Sequence, residues 1–177
     1  MYLCINEKET IMEVRRQVKI ESIDHEDLVD FLSTALTGSM IFGVDYNTDW
    51  YDNLPDDKKE GDCIEDALAD ILLNGGKIKI IDLYADGEKY GNLSFSYVDR
   101  DTFEEVFPLD GYEDKYPIAY DVTLEDVIEG IECACNSDYE YIRDAANDLI
   151  DDEGMQFDLA DGEIVLQMVV FGEVIYG

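Results

Sequence analysis

The sequence predicts an α+β protein with a small mixed or antiparallel sheet and a helical, strongly acidic C-terminal part. Strand-type and helix-type apolar patterns follow one another along the chain. The chain has 177 residues, 46% of them hydrophobic and 11% aromatic, which suffices for one packed core. Acids outnumber bases by 44 to 12, and the bases are concentrated towards the N-terminal half. We therefore expect one domain over residues 1–177, in which a sheet-containing part, 1–122, is packed against a helical acidic part, 123–177.

The first part of the chain is predicted to mix strands and helices. Strands are indicated by apolar side chains with a period of two, and helices by apolar stripes that follow a capping residue. Asp86-Gly87 lies between two strand-type segments and predicts a β-hairpin. The predicted elements are a strand at 10–20, a helix that starts at Ser22 or Asp24 and ends at Gly38, a strand at 39–46, a loop at 47–59, a helix at 61–73, strands at 77–84 and 89–98, a surface loop at 99–115 with a helical turn at 102–106, and a strand at 116–122.

The C-terminal part is predicted to contain three helices. Thr123 is a typical N-cap for the first helix. Asp158 or Asp161 caps the third helix, which runs into an apolar segment, residues 164–175, that must be buried. The side chains predicted to face inward are Leu124, Val127, Ile128 and Ile131 in the first helix and Tyr141, Ile142, Ala145, Ala146 and Leu149 in the second, which covers residues 138–151.

The net charge of −32 is the most unusual property of the sequence. Self-repulsion on this scale destabilises a compact chain, so the charge needs a reason. Duplex DNA carries about one negative charge per 1.7 Å of axis, so the same charge corresponds to roughly 16 base pairs. Adaptation to a high-salt cytoplasm is one alternative, although it would spread the acids evenly. Direct binding to nucleic acid is disfavoured because phosphates would be repelled, and a basic protein partner is favoured.

The candidate partner-binding surface is the acidic face of the second C-terminal helix. Its acids recur at steps of four and three residues, which places them along one side of a helix. If this side is only a solvated face, the acidic loops at residues 47–62 and 99–114 are the next candidates. The predicted partner-binding residues are Asp138, Glu140, Asp144, Asp148, Asp151, Asp152 and Glu153.

No catalytic or cofactor motif is present in the sequence. The acids at residues 56–57 and 151–153 do not fit the calcium-loop pattern, so only weak cation binding is expected there. Cys133-x-Cys135 has no second cysteine pair, which disfavours zinc. His25 is the only histidine, and we expect it to be exposed at a helix start without a nucleophile beside it. The sequence therefore predicts a protein that is not an enzyme and needs no cofactor or metal.

The sequence contains no targeting or membrane-spanning pattern. No apolar run reaches the ~18 residues that a membrane helix needs. The N-terminus lacks the basic and apolar regions of a signal peptide, and the four cysteines are not spaced as a disulfide framework. We therefore expect a cytoplasmic protein with reduced thiols, present as a monomer or dimer.

Three stretches resemble a family of short, uncharacterised proteins from bacteriophages and phage-derived elements. They are residues 27–46, residues 67–82 together with 120–131, and the ending at 160–177, ADGEIVLQMVVFGEVIYG. The shared pattern consists of a helix, a small-residue break and a strand, then a Gly-Gly turn between a helix and a strand, and a helix that closes on Phe-Gly-Glu. This chain departs from the pattern by its longer acidic segment at residues 90–117.

The resemblance implies a phage source and an α+β layout, and it implies no reaction. The nearest functional class is that of acidic phage proteins that mimic nucleic acid and block host nucleases. The expected function is therefore inhibition of the basic nucleic-acid groove of a host defence nuclease. A CRISPR effector is the first expected target, and a restriction enzyme is the alternative. A second alternative is a phage accessory protein that binds another basic host protein, and a third is an assembly role.

Overall fold

The computed structural model describes residues 18–45, 55–56, 59, 63–150 and 158–177. Within these residues the chain forms five α-helices and five strands, which confirms the α+β prediction. Most of the predicted strand at residues 10–20 and of the predicted loop at 47–59 lies outside the described residues. The elements are α1 (His25–Leu36), β1 (Phe42–Asp45), α2 (Ile64–Leu73), β2 (Lys77–Asp82), β3 (Phe95–Val98), β4 (Glu105–Val106), a 3-10 turn (Glu113–Lys115), β5 (Ile118–Thr123), α3 (Leu124–Cys135), α4 (Glu140–Ile150) and α5 (Leu159–Phe171).

The sheet is antiparallel, with the strand order β1-β2-β5-β3-β4. The predicted hairpin at Asp86-Gly87 is wrong, because β5 lies between β2 and β3. β2 pairs with β5 along its whole length, from Lys77 opposite Thr123 to Asp82 opposite Ile118. This long ladder takes the edge of β2 that a hairpin would have used. The hairpin signal was local, whereas the pairing that replaced it joins distant parts of the chain.

Gly87 allows two loops to approach each other closely. Its φ of +91° is in the left-handed region, and a Cβ atom there would lie 2.8 Å from the backbone nitrogen of Asp114. The glycine therefore lets the segment after β2 cross the segment before β5. The predicted helical turn at residues 102–106 is also wrong, since Val106 lies in β4 and pairs with Tyr97 of β3.

The helices cover one face of the sheet. Side chains of β2 and β5 alternate between the two faces, as the period of a strand requires. The helix-covered face contributes Ile78, Ile80 and Tyr120 to the main core. On the opposite face a smaller cluster, to which none of the described helices contributes, consists of Ile81, Val98 and Ala119 with Leu83 and Phe103 packed against it.

Helix α5 is the centre of the helical layer, and it contacts α1, α3 and α4. The residues from Val165 through Phe171 are buried, which confirms that the helical part of the apolar segment predicted at residues 164–175 enters the core. The end of that segment does not, since Gly172 and Glu173 are exposed and Val174 and Ile175 are half-buried. Glycines allow the neighbouring helices to approach closely. A Cβ on Gly130 of α3 would lie 2.4 Å from Cα of Val169, and a Cβ on Gly162 would lie 2.8 Å from Cα of Ala35 in α1. These contacts leave no space for a larger side chain.

The predicted caps of three helices are confirmed, whereas α4 starts at Glu140 and not at residue 138. Thr123 Oγ1 accepts a hydrogen bond from the Asp126 N–H at 3.3 Å, and the Asp126 carboxylate accepts one from the Thr123 N–H at 2.8 Å. Asp158 caps α5 by accepting from the N–H groups of Ala160 and Asp161. Asp24 caps α1. Such caps satisfy backbone donors that a helix end otherwise leaves unpaired.

Four sequence predictions about side-chain orientation are corrected. Tyr141 was expected to be buried and is 51% exposed, because α4 buries only Ile142, Ala145 and Ala146 fully. Leu124 and Ile128 of α3 and Leu149 of α4 are half-buried, since they lie at the margin of the core.

The C-terminal residues are held by buried polar groups. Gln167 Oε1 accepts hydrogen bonds from the N–H groups of Ile175 and Tyr176 at 2.8 and 2.7 Å. The Tyr176 hydroxyl donates to Asp82 Oδ2 at 2.9 Å. Burial is the main cause that raises the pKa of Asp82, and the hydrogen bond from Tyr176 partly opposes it. This network satisfies polar groups that would be costly to bury alone.

Candidate partner-binding surface

The five described helices are almost free of basic residues. Arg143 in α4 is their only Lys or Arg. Every one of these helices has an acid in the first turn, which suits the helix dipole, and none has a base in the last turn. Because all five helices lie on one side of the sheet, this side of the protein is negative.

Arg143 does not neutralise the acidic surface. Its Nη1 atom donates a hydrogen bond to the backbone oxygen of Ser137 at 2.6 Å, so the guanidinium is engaged by the turn between α3 and α4. Within the described part of the chain, the ion pairs are His25–Asp70, Lys59–Asp56 and Lys77–Asp121, and none of them involves an acid of α4.

The structure places four of the seven predicted partner-binding residues. Asp138, Glu140 and Asp144 are exposed, and Asp148 is half-buried. Glu140, Asp144 and Asp148 follow one another at steps of four in α4, so each step advances about 6 Å along one side of the helix. The other three, Asp151, Asp152 and Glu153, lie outside the described residues.

The acidic face of α4 continues onto the start of α5. Burial is the main cause that raises the pKa of Asp161, and the negative charges of Asp158 and Asp148 raise it further. Asp148 belongs to α4 and Asp158 caps α5, so three carboxylates from two elements share one region. A cation from a partner would relieve the repulsion among them.

Two exposed tyrosines lie within the acidic face. Tyr139 is 66% exposed and Tyr141 51% exposed, and their ring centroids are 6.1 Å apart. They alternate in the chain with Asp138 and Glu140. Carboxylates beside aromatic faces form a favourable environment for guanidinium and ammonium groups. Sequence reasoning missed Tyr139, although its position between two acids was a usable signal.

A second acidic region borders an open groove between the end of α2 and the start of α3. The groove has a volume of about 730 Å³. Glu125, Glu129 and Glu132 of α3 line it at helical spacing, together with apolar side chains. None of these three glutamates is among the predicted partner-binding residues. Their spacing of four and three residues would have placed all three on one side of α3.

The open face of the sheet has a different charge pattern. The Lys77 ammonium pairs with the Asp121 carboxylate across the β2–β5 ladder. Lys79 Nζ donates a hydrogen bond to Ser96 Oγ at 3.2 Å. Lys77 and Lys79 are therefore partnered within the sheet, whereas none of the described bases forms an ion pair with an acid of α4.

Catalytic chemistry has little support in the described residues. His25 was expected to be exposed, but its side chain is only 19% exposed because it lies against the buried Asp70, with Nε2 3.3 Å from Oδ1. The pKa of the Cys63 thiol is raised mainly by a hydrogen bond with Asp66, and burial raises the pKa of Cys135. Both shifts disfavour the reactive thiolate.

The described residues contain no group of three or more His, Cys, Asp or Glu side chains arranged to hold a metal ion. Among the helices of that same part of the chain, none has the length and apolar character needed to cross a membrane.

Comparison with known proteins gives no relative: no family model matches the chain, and neither a curated protein nor a solved structure matches it. The functional argument therefore depends on the chemistry of the surface.

Proposed function

We propose that this protein is an acidic inhibitor that mimics nucleic acid and blocks the basic nucleic-acid groove of a host defence nuclease. The proposed target is a CRISPR effector. The protein acts by protein–protein contact in the cytoplasm of an infected bacterium, as a monomer or dimer, and it needs no catalysis or cofactor. The resemblance to phage-derived proteins supports the proposed setting.

The observation that carries this proposal is the unneutralised acidic face of the helical layer. Arg143 is the only base in the five described helices, and it donates to Ser137 instead of pairing with an acid. When a strongly basic surface binds a face of this kind, counterions are released and the free energy of the complex is lowered. The phosphates of DNA bind basic proteins in the same way.

The spacing of the acids suits a row of basic side chains. Glu140, Asp144 and Asp148 offer a carboxylate about every 6 Å along α4. Nucleases that hold a duplex use grooves lined by Arg and Lys, and CRISPR effectors hold their guide–target duplex in a positively charged channel. A rigid helix with repeated carboxylates can occupy such a channel without offering a cleavable bond.

The test is inhibition and capture of a nuclease by matched variants. The acidic-face variant is E140Q/D144N/D148N, and the control variant E104Q/E105Q/D110N removes the same number of exposed charges near β4. We expect the wild-type chain and the control variant to retain a CRISPR effector from a bacterial lysate and to inhibit its DNA cleavage. The acidic-face variant should require at least about tenfold more protein for the same inhibition.

The alternatives predict other outcomes of the same experiment. Recovery of a restriction nuclease would mean that the target is a different defence nuclease, with the same mode of inhibition. Recovery of a polymerase subunit or nucleoid protein would favour an accessory protein, and recovery of a capsid component an assembly role. Equal inhibition by wild type and the acidic-face variant, with loss in the control variant, would move the interface to the loop at residues 99–114.

A further inference from the structure

We propose that the groove between α2 and α3 is a second contact site, and that it takes a basic amphipathic helix of the protein partner. This inference rests on the proposed function for the charge of the partner. It adds a site in which apolar contact, and not charge alone, selects the bound segment.

The floor of the groove is apolar and only partly covered. Leu73, the last residue of α2, is 36% exposed. Leu124 and Ile128 of α3 are half-buried and line the same groove. The first turn of α3 and the last turn of α2 therefore present a continuous apolar strip with a volume of about 730 Å³ above it. A helix that lays apolar side chains into such a groove would bury this strip.

The rim of the groove is acidic. Glu125 and Glu129 are exposed, and neither forms an ion pair with a described base. Glu132 is half-buried, and its Oε1 accepts a hydrogen bond from the Ile20 N–H at 2.6 Å. Lys19 is the only base among the residues that line the groove. A partner segment therefore needs Lys or Arg on the sides of its apolar face.

The helix ends at the groove add to this preference for positive charge. α2 has no basic residue in its last turn, so the negative end of its dipole is not compensated there. The positive end of α3 faces the same region, but Glu125 and Asp126 lie in its first turn and offset it. The charged residues that line the groove are three glutamates and Lys19, so its net charge is negative, which disfavours a nucleic acid or an acidic peptide as the occupant.

The test uses synthetic peptides of about 14 residues, long enough to form a helix on the protein. One peptide has Leu on one helical face and Lys on the other, and a second has the same composition in scrambled order. A third consists of Lys alone. Binding to the full-length protein is measured by fluorescence anisotropy at low salt. We expect the patterned peptide to bind at least about tenfold more tightly than the scrambled one.

Variants locate the bound peptide. E125Q/E129Q removes charge from the rim, and Leu73→Ser removes part of the floor at a position that is already exposed, so both variants should fold. Each should weaken the patterned peptide by at least about fivefold. The matched control, E104Q/E105Q, removes two exposed charges near β4 and should leave the affinity for this peptide within about twofold of wild type.

Three outcomes would overturn the proposal. The first is equal affinity for the patterned and scrambled peptides. If the all-Lys peptide also binds, and D144N/D148N weakens the binding of the all-Lys peptide, the groove is rejected and the proposed function is left intact. Failure of every cationic peptide to bind would reject both. In the free protein, nuclear Overhauser contacts between the Ile128 methyl groups and residues 1–17 would identify the chain's own N-terminal segment as the occupant.

Discussion

The two sides of the sheet differ in how their basic residues are partnered. On the open face, Lys77 of β2 pairs with Asp121 of β5 and Lys79 donates to Ser96 of β3, so both lysines have partners within the sheet. On the helix-covered side, the outer surfaces of the helices carry acids, and Arg143, the single Lys or Arg of the described helices, is engaged by a backbone oxygen. No described base therefore pairs with the acids of α4.

This difference separates a surface that serves folding from one that is available for binding. A lysine that crosses a ladder to an acid stabilises the register of two strands. A row of like charges at helical spacing opposes helix formation, so packing must offset it. In the helical layer the packing comes from α5, whose buried side chains hold α1, α3 and α4 together. The acidic surface therefore depends on an apolar core directly beneath it.

The largest predicted effect is a loss of stability caused by a substitution in the helical layer, with a substitution in the sheet as its control. Gly130→Ala should lower the free energy of unfolding by about 2–3 kcal/mol, which corresponds to a loss of about 4–12 °C in Tm. The reason is that the new Cβ would lie 2.4 Å from Cα of Val169, a backbone atom that cannot rotate away. Urea denaturation followed by circular dichroism measures the change.

The control for this prediction is Gly43→Ala in β1. A Cβ there would lie 3.6 Å from the Phe103 ring on the open face, which is an ordinary contact. We expect unchanged or slightly higher stability, since alanine loses less backbone entropy than glycine on folding. Equal destabilisation by the two changes would contradict the view that the protein is packed more tightly at Gly130 than at Gly43.

The second prediction tests whether the charge of the helical layer is used in binding. Raising the salt concentration from about 0.05 M to about 0.3 M should weaken the complex with a basic partner by at least about tenfold, because salt screens charge attraction. The variant E140Q/D144N/D148N should show a flatter dependence. Titrations at several salt concentrations measure both slopes. An affinity that does not change with salt would exclude mimicry of nucleic acid as the source of binding.

The third prediction concerns Asp82, on the helix-covered face where the sheet and the helical layer meet. Its pKa is raised mainly by burial, so the folded protein keeps a proton that the unfolded chain has already lost. This contribution to stability is fully present below the unfolded pKa, about 4, and is lost as the pH rises through the folded pKa. The variant Asp82→Asn should therefore lose less stability than wild type between mildly acidic and neutral pH.

Denaturation at several pH values measures this difference. Asp161 also has a raised pKa, and Asp99 has a lowered one because backbone N–H groups stabilise its charge. Both remain in Asp82→Asn, so only the difference between the two proteins reports on Asp82. If the stability of wild type and of Asp82→Asn changed equally with pH, the hydrogen bond from Tyr176 would offset the effect of burial on the pKa of Asp82.

Local signals in the sequence predicted the helices and their starts. Thr123 and Asp158 each lie immediately before an apolar pattern and were confirmed as caps, because a cap depends on residues three positions away. The hairpin at Asp86-Gly87 failed because strand pairing depends on distant residues, and β5 gave β2 a longer ladder. No local signal describes that competition.

The candidate surface was predictable only in part for the same reason. The helical spacing of Glu140, Asp144 and Asp148 is visible in the sequence, and the structure places them on one helix. The groove between α2 and α3 is not visible, because it requires two helices that are separated in the chain to meet. Likewise, the sequence does not show the contact of His25 with Asp70, because it joins the first residue of α1 to the C-terminal part of α2.

The smallest predicted effect concerns the ion pair on the open face of the sheet. The Lys77 side chain is 59% exposed and that of Asp121 22% exposed, so water screens the pair. A double-mutant cycle with Lys77→Met and Asp121→Asn should give a coupling energy of about 0.2–1 kcal/mol. The same Lys77→Met variant should bind the partner as tightly as wild type, because the Lys77 charge is paired with Asp121 on the open face of the sheet.

A larger coupling energy would mean that this pair is more than a screened surface contact and that the open face contributes strongly to folding. Tighter partner binding by Lys77→Met would mean that the lysine repels the partner, so the interface would extend to the sheet. Either result would contradict the view that the open face of the sheet serves only folding and that binding is limited to the helical layer. Unchanged binding together with a small coupling energy would leave the unneutralised acids of the helical layer as the region where a basic partner gains the most from contact.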